Sequence, residues 1–205
     1  MKAQTVMKAA KAEPCTEARC ARDRIFDTAR ELFYKQGIRA VGVETIANEA
    51  GTTKMSLYRH FPSKDELTAE CLKADRAEFD GWWKETVAKA GTPRKQIEAL
   101  FTAFQSNVCE DEEGRGCPLA NAAVELPDPK HPARKVVLEH KADVRKRLQD
   151  LCREMGARKP EKLGDALMLL MEGAYMTRLV FGTEGPAQVV LKAANALIDA
   201  EKHAA

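Results

Sequence analysis

Residues 43–61 read Val43-Glu44-Thr45-Ile46-Ala47-Asn48-Glu49-Ala50-Gly51-Thr52-Thr53-Lys54-Met55-Ser56-Leu57-Tyr58-Arg59-His60-Phe61. This stretch decides the fold. Apolar residues recur at helical spacing on either side of Gly51, giving two very short helices. Helices of that length do not persist alone in water, so they must brace each other. Ile46 and Ala50 form one inner edge, Ala47 is small enough to admit the second helix closely, and Leu57 and Phe61 supply the facing edge. Gly51 takes the positive φ that a sharp interhelical turn needs. Ala47, Gly51 and Leu57 thus stand at the small residue, glycine and aliphatic positions of a helix-turn-helix.

With Leu57 and Phe61 turned inward, the second helix presents Thr52, Thr53, Lys54, Ser56, Tyr58, Arg59 and His60 outward, and Lys64 follows just beyond. All are hydrogen-bond donors suited to phosphate oxygens or base edges, and a helix of this size fits the major groove of B-DNA. A solvated helical hairpin with no nucleic-acid role is the alternative on spacing and charge alone. Charge leans weakly toward DNA. Residues 1–65 hold 12 Lys and Arg against 8 Asp and Glu, whereas the remaining residues hold 21 against 23.

Outward from this motif the chain reads as all-α, with about nine helices. Runs of alternating β-branched and aromatic residues are almost absent, and helical spacing recurs throughout. Upstream, Thr16 is a plausible N-cap for a helix whose Ile25, Ala29, Leu32, Phe33 and Gln36 share a face, and Gly37 ends it. Downstream, Ser63 and Glu66 form a capping box that opens a helix running to about Ala90. Thr92-Pro93 starts the next, which fades in the acidic run Glu110 to Glu113. A short helix follows from Leu119 to Glu125. Helical spacing resumes with Val136, Val137, Leu138, Val144, Leu148 and Leu151, again in the apolar run Leu163 to Phe181, and last through Val189, Val190, Ala193, Leu197 and Ile198. Residues 1–15 read as a loose tail, 16–66 as the helix-turn-helix domain and 67–205 as a larger helical body.

Composition narrows the classes. With 205 residues, 44% of them hydrophobic, the chain can bury about 70% of its unfolded surface without metals or disulfides. The run from Leu163 to Phe181 carries Asp165, Glu172 and Arg178, which argues against a membrane span. Six Cys without an export signal point to the cytoplasm. Cys15, Cys20, Cys71, Cys109 and Cys152 show no metal-ligand spacing with the His residues, so no metal or cofactor is expected. Nucleophile elbows, phosphate-binding glycine loops and His-Glu-x-x-His patterns are absent, so an enzyme is not expected.

The chain resembles the TetR-type transcriptional regulators. The resemblance rests on Leu32-Phe33 with Gly37, on Ile46-Ala47 with Ala50-Gly51, and on Leu57-Tyr58-Arg59-His60-Phe61 followed by Ser63-Lys64-Asp65-Glu66-Leu67. Carried over position by position, Lys54 and Met55 look like the base-contacting pair at the start of the recognition helix. Thr52, Thr53, Ser56, Tyr58, Arg59, His60 and Lys64 look like phosphate or groove contacts. Met55 offers no hydrogen bond, which suits a thymine methyl. One departure stands out: the family often has a Thr or Ser run where this chain has Val41-Gly42-Val43 and then Glu44, leaving Gly42 as a weaker N-cap.

The resemblance implies a homodimeric repressor that leaves a palindromic operator in double-stranded DNA when a small-molecule effector enters the body. The dimer is expected through the last two helices, about 161–182 and 186–202, because the first of them is apolar nearly all round and needs cover on two sides. Candidate pocket residues are Phe79, Trp82, Trp83, Phe101, Phe104, Met168, Met171, Tyr175 and Met176, the large or soft side chains on central helices. Such residues are core filling more often than ligand contacts, and they suit a mainly apolar effector. Cys117 belongs to a segment, Gly116 to Glu125, that resembles a short helix under the pocket in one branch of the family. Arg115 and a helix N-terminus would lower its thiol pKa and Glu110 to Glu113 would raise it. Two alternatives remain: a thiol-based redox or electrophile sensor acting through Cys117, and a ligand-binding helical protein that has lost specific DNA binding.

Overall fold

The computed structural model describes residues 21–110 and 114–203. Among them are nine α-helices and one 3-10 turn: α1 (Ala21–Gln36), α2 (Val43–Glu49), α3 (Lys54–His60), α4 (Lys64–Ala88), α5 (Pro93–Glu110), α6 (Pro118–Glu125), α7 (Pro132–Glu154), α8 (Pro160–Phe181), the 3-10 turn Pro186–Val189, and α9 (Val190–His203). The described residues include no strand. Residues 1–15 and the Thr16 cap lie outside the described residues.

Two compact units emerge, and neither is a continuous stretch of chain. The first contains α1, α2, α3, the first half of α4, α6 and the beginning of α7; the second contains the remainder of α4, α5, most of α7, α8 and α9. Helix α1 buries Ile25, Ala29, Leu32 and Phe33 against α2 and α3, as its spacing predicts. Gln36, expected on that face, is exposed at the end of the helix. Gly37 then takes φ +92° and its N–H donates to the Phe33 carbonyl at 3.1 Å. That is the left-handed stop a Cβ would strain.

Helix α6 is tied into this first unit by its last residue. Glu125 Oε2 accepts from the Arg39 N–H at 3.0 Å, and the carboxylate lies where a Cβ on Gly37 would meet it at 3.1 Å. The beginning of α7 is held in two further places. His131 Nδ1 accepts from the Ala133 N–H at 3.1 Å, which leaves Nε2 facing Asp65 Oδ1 at 3.2 Å. The Arg134 guanidinium donates to the Ala123 carbonyl at 2.8 Å. On α1, Arg30 pairs with Asp75 of α4 at 2.6 Å, the aspartate almost wholly buried.

In the second unit α5, α8 and α9 pack mutually around Phe101, Phe104, Leu167, Met171 and Ile198. A Cβ on Gly164 would lie 2.8 Å from the backbone of Gln149, so glycine sets how closely α7 and α8 approach. Arg178 is buried here, its Nε donating to the Val108 carbonyl at 3.0 Å.

Three further details differ from the sequence reading. Leu138 is exposed, because it falls outside the buried stripe carried by Val136, Val137, Val144, Leu148 and Leu151. The last helix begins as a 3-10 turn at Pro186, leaving Val189 exposed while Val190, Ala194 and Ile198 turn inward. Met176, grouped by spacing with the pocket candidates, points outward on α8 together with Leu169, Leu179, Val180 and Phe181.

Candidate nucleic-acid interface

The site is built from the turn outward. Gly51 has φ +61° with nothing within 4 Å of where a Cβ would be, so conformation and not space selects glycine. Its N–H donates to the Asn48 carbonyl at 3.1 Å and the Thr52 N–H to the Ala47 carbonyl at 2.9 Å, closing the turn. Thr53 is the N-cap of α3: its hydroxyl accepts from the Ser56 N–H at 3.1 Å. Gly42 caps α2 with φ −86° and ψ 157°, and it has no side chain to offer the first-turn N–H groups.

Only one stripe of α3 faces inward. Leu57 and, just past the helix, Phe61 are fully buried. Lys54, Met55, Tyr58 and Arg59 are exposed, Met55 at 83%, and Thr52, Ser56 and His60 are half-buried. The fold thus brings all of these predicted residues onto and around one short, rigidly seated helix. Lys64, the first residue of α4, is half-buried. Its ammonium lies 5.9 Å from the centre of the Phe33 ring, and burial lowers its pKa against the opposing pull of Asp65 and Glu125.

Sequence spacing missed three side chains that matter to this face. Arg24 Nε donates to the Ala50 carbonyl at 3.1 Å, satisfying a group the end of α2 leaves open. Arg22 stacks 4.9 Å from the Phe61 ring centre and pairs with Glu70. Glu44 faces Lys54 across the hairpin, Oε1 to Nζ at 3.4 Å. Charge alternation along α1 is the only trace of the two arginines in the sequence, and it does not name their partners.

Comparison with known proteins agrees with this architecture. Residues 25–71 match the family model described as bacterial regulatory proteins of the tetR family, and residues 93–194 match the tetracyclin repressor-like C-terminal domain. A TetR-type transcriptional regulator from Streptomyces avermitilis is 30% identical, with a TM-score of 0.77, over 90% of this chain and 99% of that one.

The chain belongs to the TetR family.

A TetR-family transcriptional regulator from Streptomyces coelicolor superposes with a TM-score of 0.84 at 27% identity, over 89% of this chain and 96% of that one. Among curated relatives, the HTH-type transcriptional repressor KstR2 of Rhodococcus jostii is 38% identical over 81 residues. That match spans 40% of this chain and 40% of the relative.

The pocket candidates of this TetR-family chain fall in different places. Trp83, Phe101, Phe104 and Met171 are buried in the second unit, where Trp82, Met168 and Tyr175 are half-buried. Their rings pack on one another: Phe79 lies 5.3 Å from Trp82 and edge-on to His140 at 4.9 Å, and Tyr175 is edge-on to Phe104 at 4.8 Å. Cys117 is buried in the first unit, at the N-cap of α6. Nearby in that unit, Arg30, Tyr34, Thr68, Asp75, Asn121 and Glu125 line a narrow cleft whose water-accessible core is about 20 Å³, room for a water molecule. Burial pushes the Cys71 thiol up and the Cys152 thiol up to about 12. Among the described residues, no group of three or more His, Cys, Asp or Glu is placed to hold a metal, and no helix is long and apolar enough to cross a membrane.

Proposed function

We propose that this chain is a homodimeric, DNA-binding transcriptional repressor that leaves a palindromic operator when a mainly apolar small molecule binds its helical body. The observation that carries the reading is α3: a capped helix seated on fully buried Leu57 and Phe61, with Lys54, Met55, Tyr58 and Arg59 exposed around it. Phosphate and base contacts come from such side chains: Thr52, Thr53, Ser56, Tyr58, Arg59, His60 and Lys64 serve the backbone and groove, Lys54 and Met55 the bases. The repressor named among the curated relatives supports the same direction of control. The chain works in the cytoplasm, by binding and not by catalysis.

Dimerisation through α8 and α9 is supported by the apolar side chains that α8 leaves outward, among them Leu169, Val180 and Phe181. Two copies set two recognition helices at the spacing of two half-sites. Effector control then needs only a difference in affinity between two states: a ligand favouring the DNA-incompetent state by about 3 kcal/mol weakens operator binding about a hundredfold.

Fluorescence anisotropy against duplexes from upstream of the chain's own gene, at two salt concentrations and beside random duplex, tests the reading. Selective binding that weakens with salt and is lost in Tyr58→Ala is expected. Equal, weak binding to every duplex overturns it.

A further inference from the structure

We infer that Glu44 reads bases together with Lys54, the two side chains recognising one G·C pair in each operator half-site. The inference rests on the DNA-binding role proposed for α3. Lys54 is the first residue of that helix, and Glu44 Oε1 stands 3.4 Å from its ammonium. Whatever part of a duplex Lys54 meets, a carboxylate meets beside it.

A carboxylate has few uses there. The pair is open to solvent, with the two side chains 51% and 76% exposed, so it contributes little to stability. It cannot neutralise a phosphate, and it cancels part of the cationic charge that drives non-specific binding. As an acceptor without protons, it can bond only to the amino groups that cytosine and adenine show in the major groove. Lys54, a donor without lone pairs, needs acceptors.

The base-pair edges decide between the two. A guanine shows N7 and O6 together, and the N4 amino group of its paired cytosine follows directly. One ammonium on O6 and N7 with one carboxylate on N4 matches that order, and the separation of Nζ and Oε1 suits neighbouring groups on one edge. In an A·T pair the adenine amino group sits between the two acceptors, which splits the ammonium from its second partner. The pairing therefore favours G·C, with Lys54 on the guanine.

Selection from a randomised duplex pool by the full chain, followed by sequencing, needs no prior operator. Wild type, Glu44→Ala, Glu44→Gln and Lys54→Ala are compared, with melting curves to show that each stays folded. Wild type is expected to fix a G·C pair at one position per half-site. Glu44→Ala and Lys54→Ala should each relax that same position about tenfold and leave the others fixed. Glu44→Gln should keep part of the preference, because its amide oxygen still accepts. The inference is overturned if that position selects A·T, or if Glu44→Ala keeps the wild-type profile while tightening operator and random duplex by one factor. A wild type that enriches no sequence overturns the DNA-binding role as well, which separates the two failures.

Discussion

The two units treat their apolar side chains differently. In the first, Ile25, Ile46, Leu57, Phe61 and Leu67 are completely covered by neighbours from the same chain, and the exposed large apolar residues, such as Met55 and Val124, stand singly. In the second, the interior is equally well filled, yet the end of α8 leaves Met176, Leu179, Val180 and Phe181 in solvent, Phe181 at 61%. Single exposed apolar residues are ordinary, whereas a contiguous run marks a surface meant to be covered. One unit is finished by its own residues. The other leaves an apolar face open, the one proposed above to receive a second copy.

The sharpest way to break that contrast is to remove the internal cover. Phe61→Ala empties a fully buried site under α3 and should cost about 3–5 kcal/mol, read as a lower urea midpoint together with loss of DNA binding. Phe181→Glu should do the reverse: the protomer melts much as before, while the dimer dissociation constant rises at least about tenfold in sedimentation equilibrium. If Phe181→Glu leaves the dimer intact, α8 is not the seam.

Smaller changes test how the second unit is packed. Gly164→Ala puts a methyl 2.8 Å from the Gln149 backbone and should cost about 1–3 kcal/mol as α7 and α8 separate, measured by thermal melting. Least visible is the thiol of Cys152. Its folded pKa of about 12 stands above the 9.0 of an exposed thiol, because burial disfavours the thiolate. The unfolded chain therefore loses its proton first as pH rises. The stability from this group is complete below pH 9 and is lost between pH 9 and about 12, so urea midpoints should fall over that window less in Cys152→Ala than in wild type. Slow modification of Cys152 by a thiol reagent at pH 8 follows from the same burial.

Sequence made the short-range parts legible. Ala47, Gly51 and Leu57 define the hairpin within a few turns of chain, and Pro93 opens the helix its position predicts. A fixed φ and a missing N–H act locally, so they can be read without the fold. Long-range polar partners could not be read that way. Arg24 finds a carbonyl 26 residues on, and Glu125 an amide 86 residues back. Lys64 illustrates the same limit: its donor type suggests the DNA face, and nothing local in the sequence shows that its ammonium also stands 5.9 Å from the centre of the Phe33 ring. Val136, Val137 and Leu138 are consecutive, and three consecutive helical residues cannot all face one side, so Leu138 is left outside the stripe.

The carboxylate that α6 places on the Gly37 turn also bears on how the protein is made. The first unit closes only when residues 117–138 join residues that end at Ala77. A ribosome adds about 5–20 residues each second, so the recognition helices wait several seconds for α6 and the beginning of α7. During that interval Ile38 and Leu72, which line one cleft with Pro118 and Asn121, lack part of their cover, and a nascent chain halted near residue 77 should be open to proteases that the full-length protein resists.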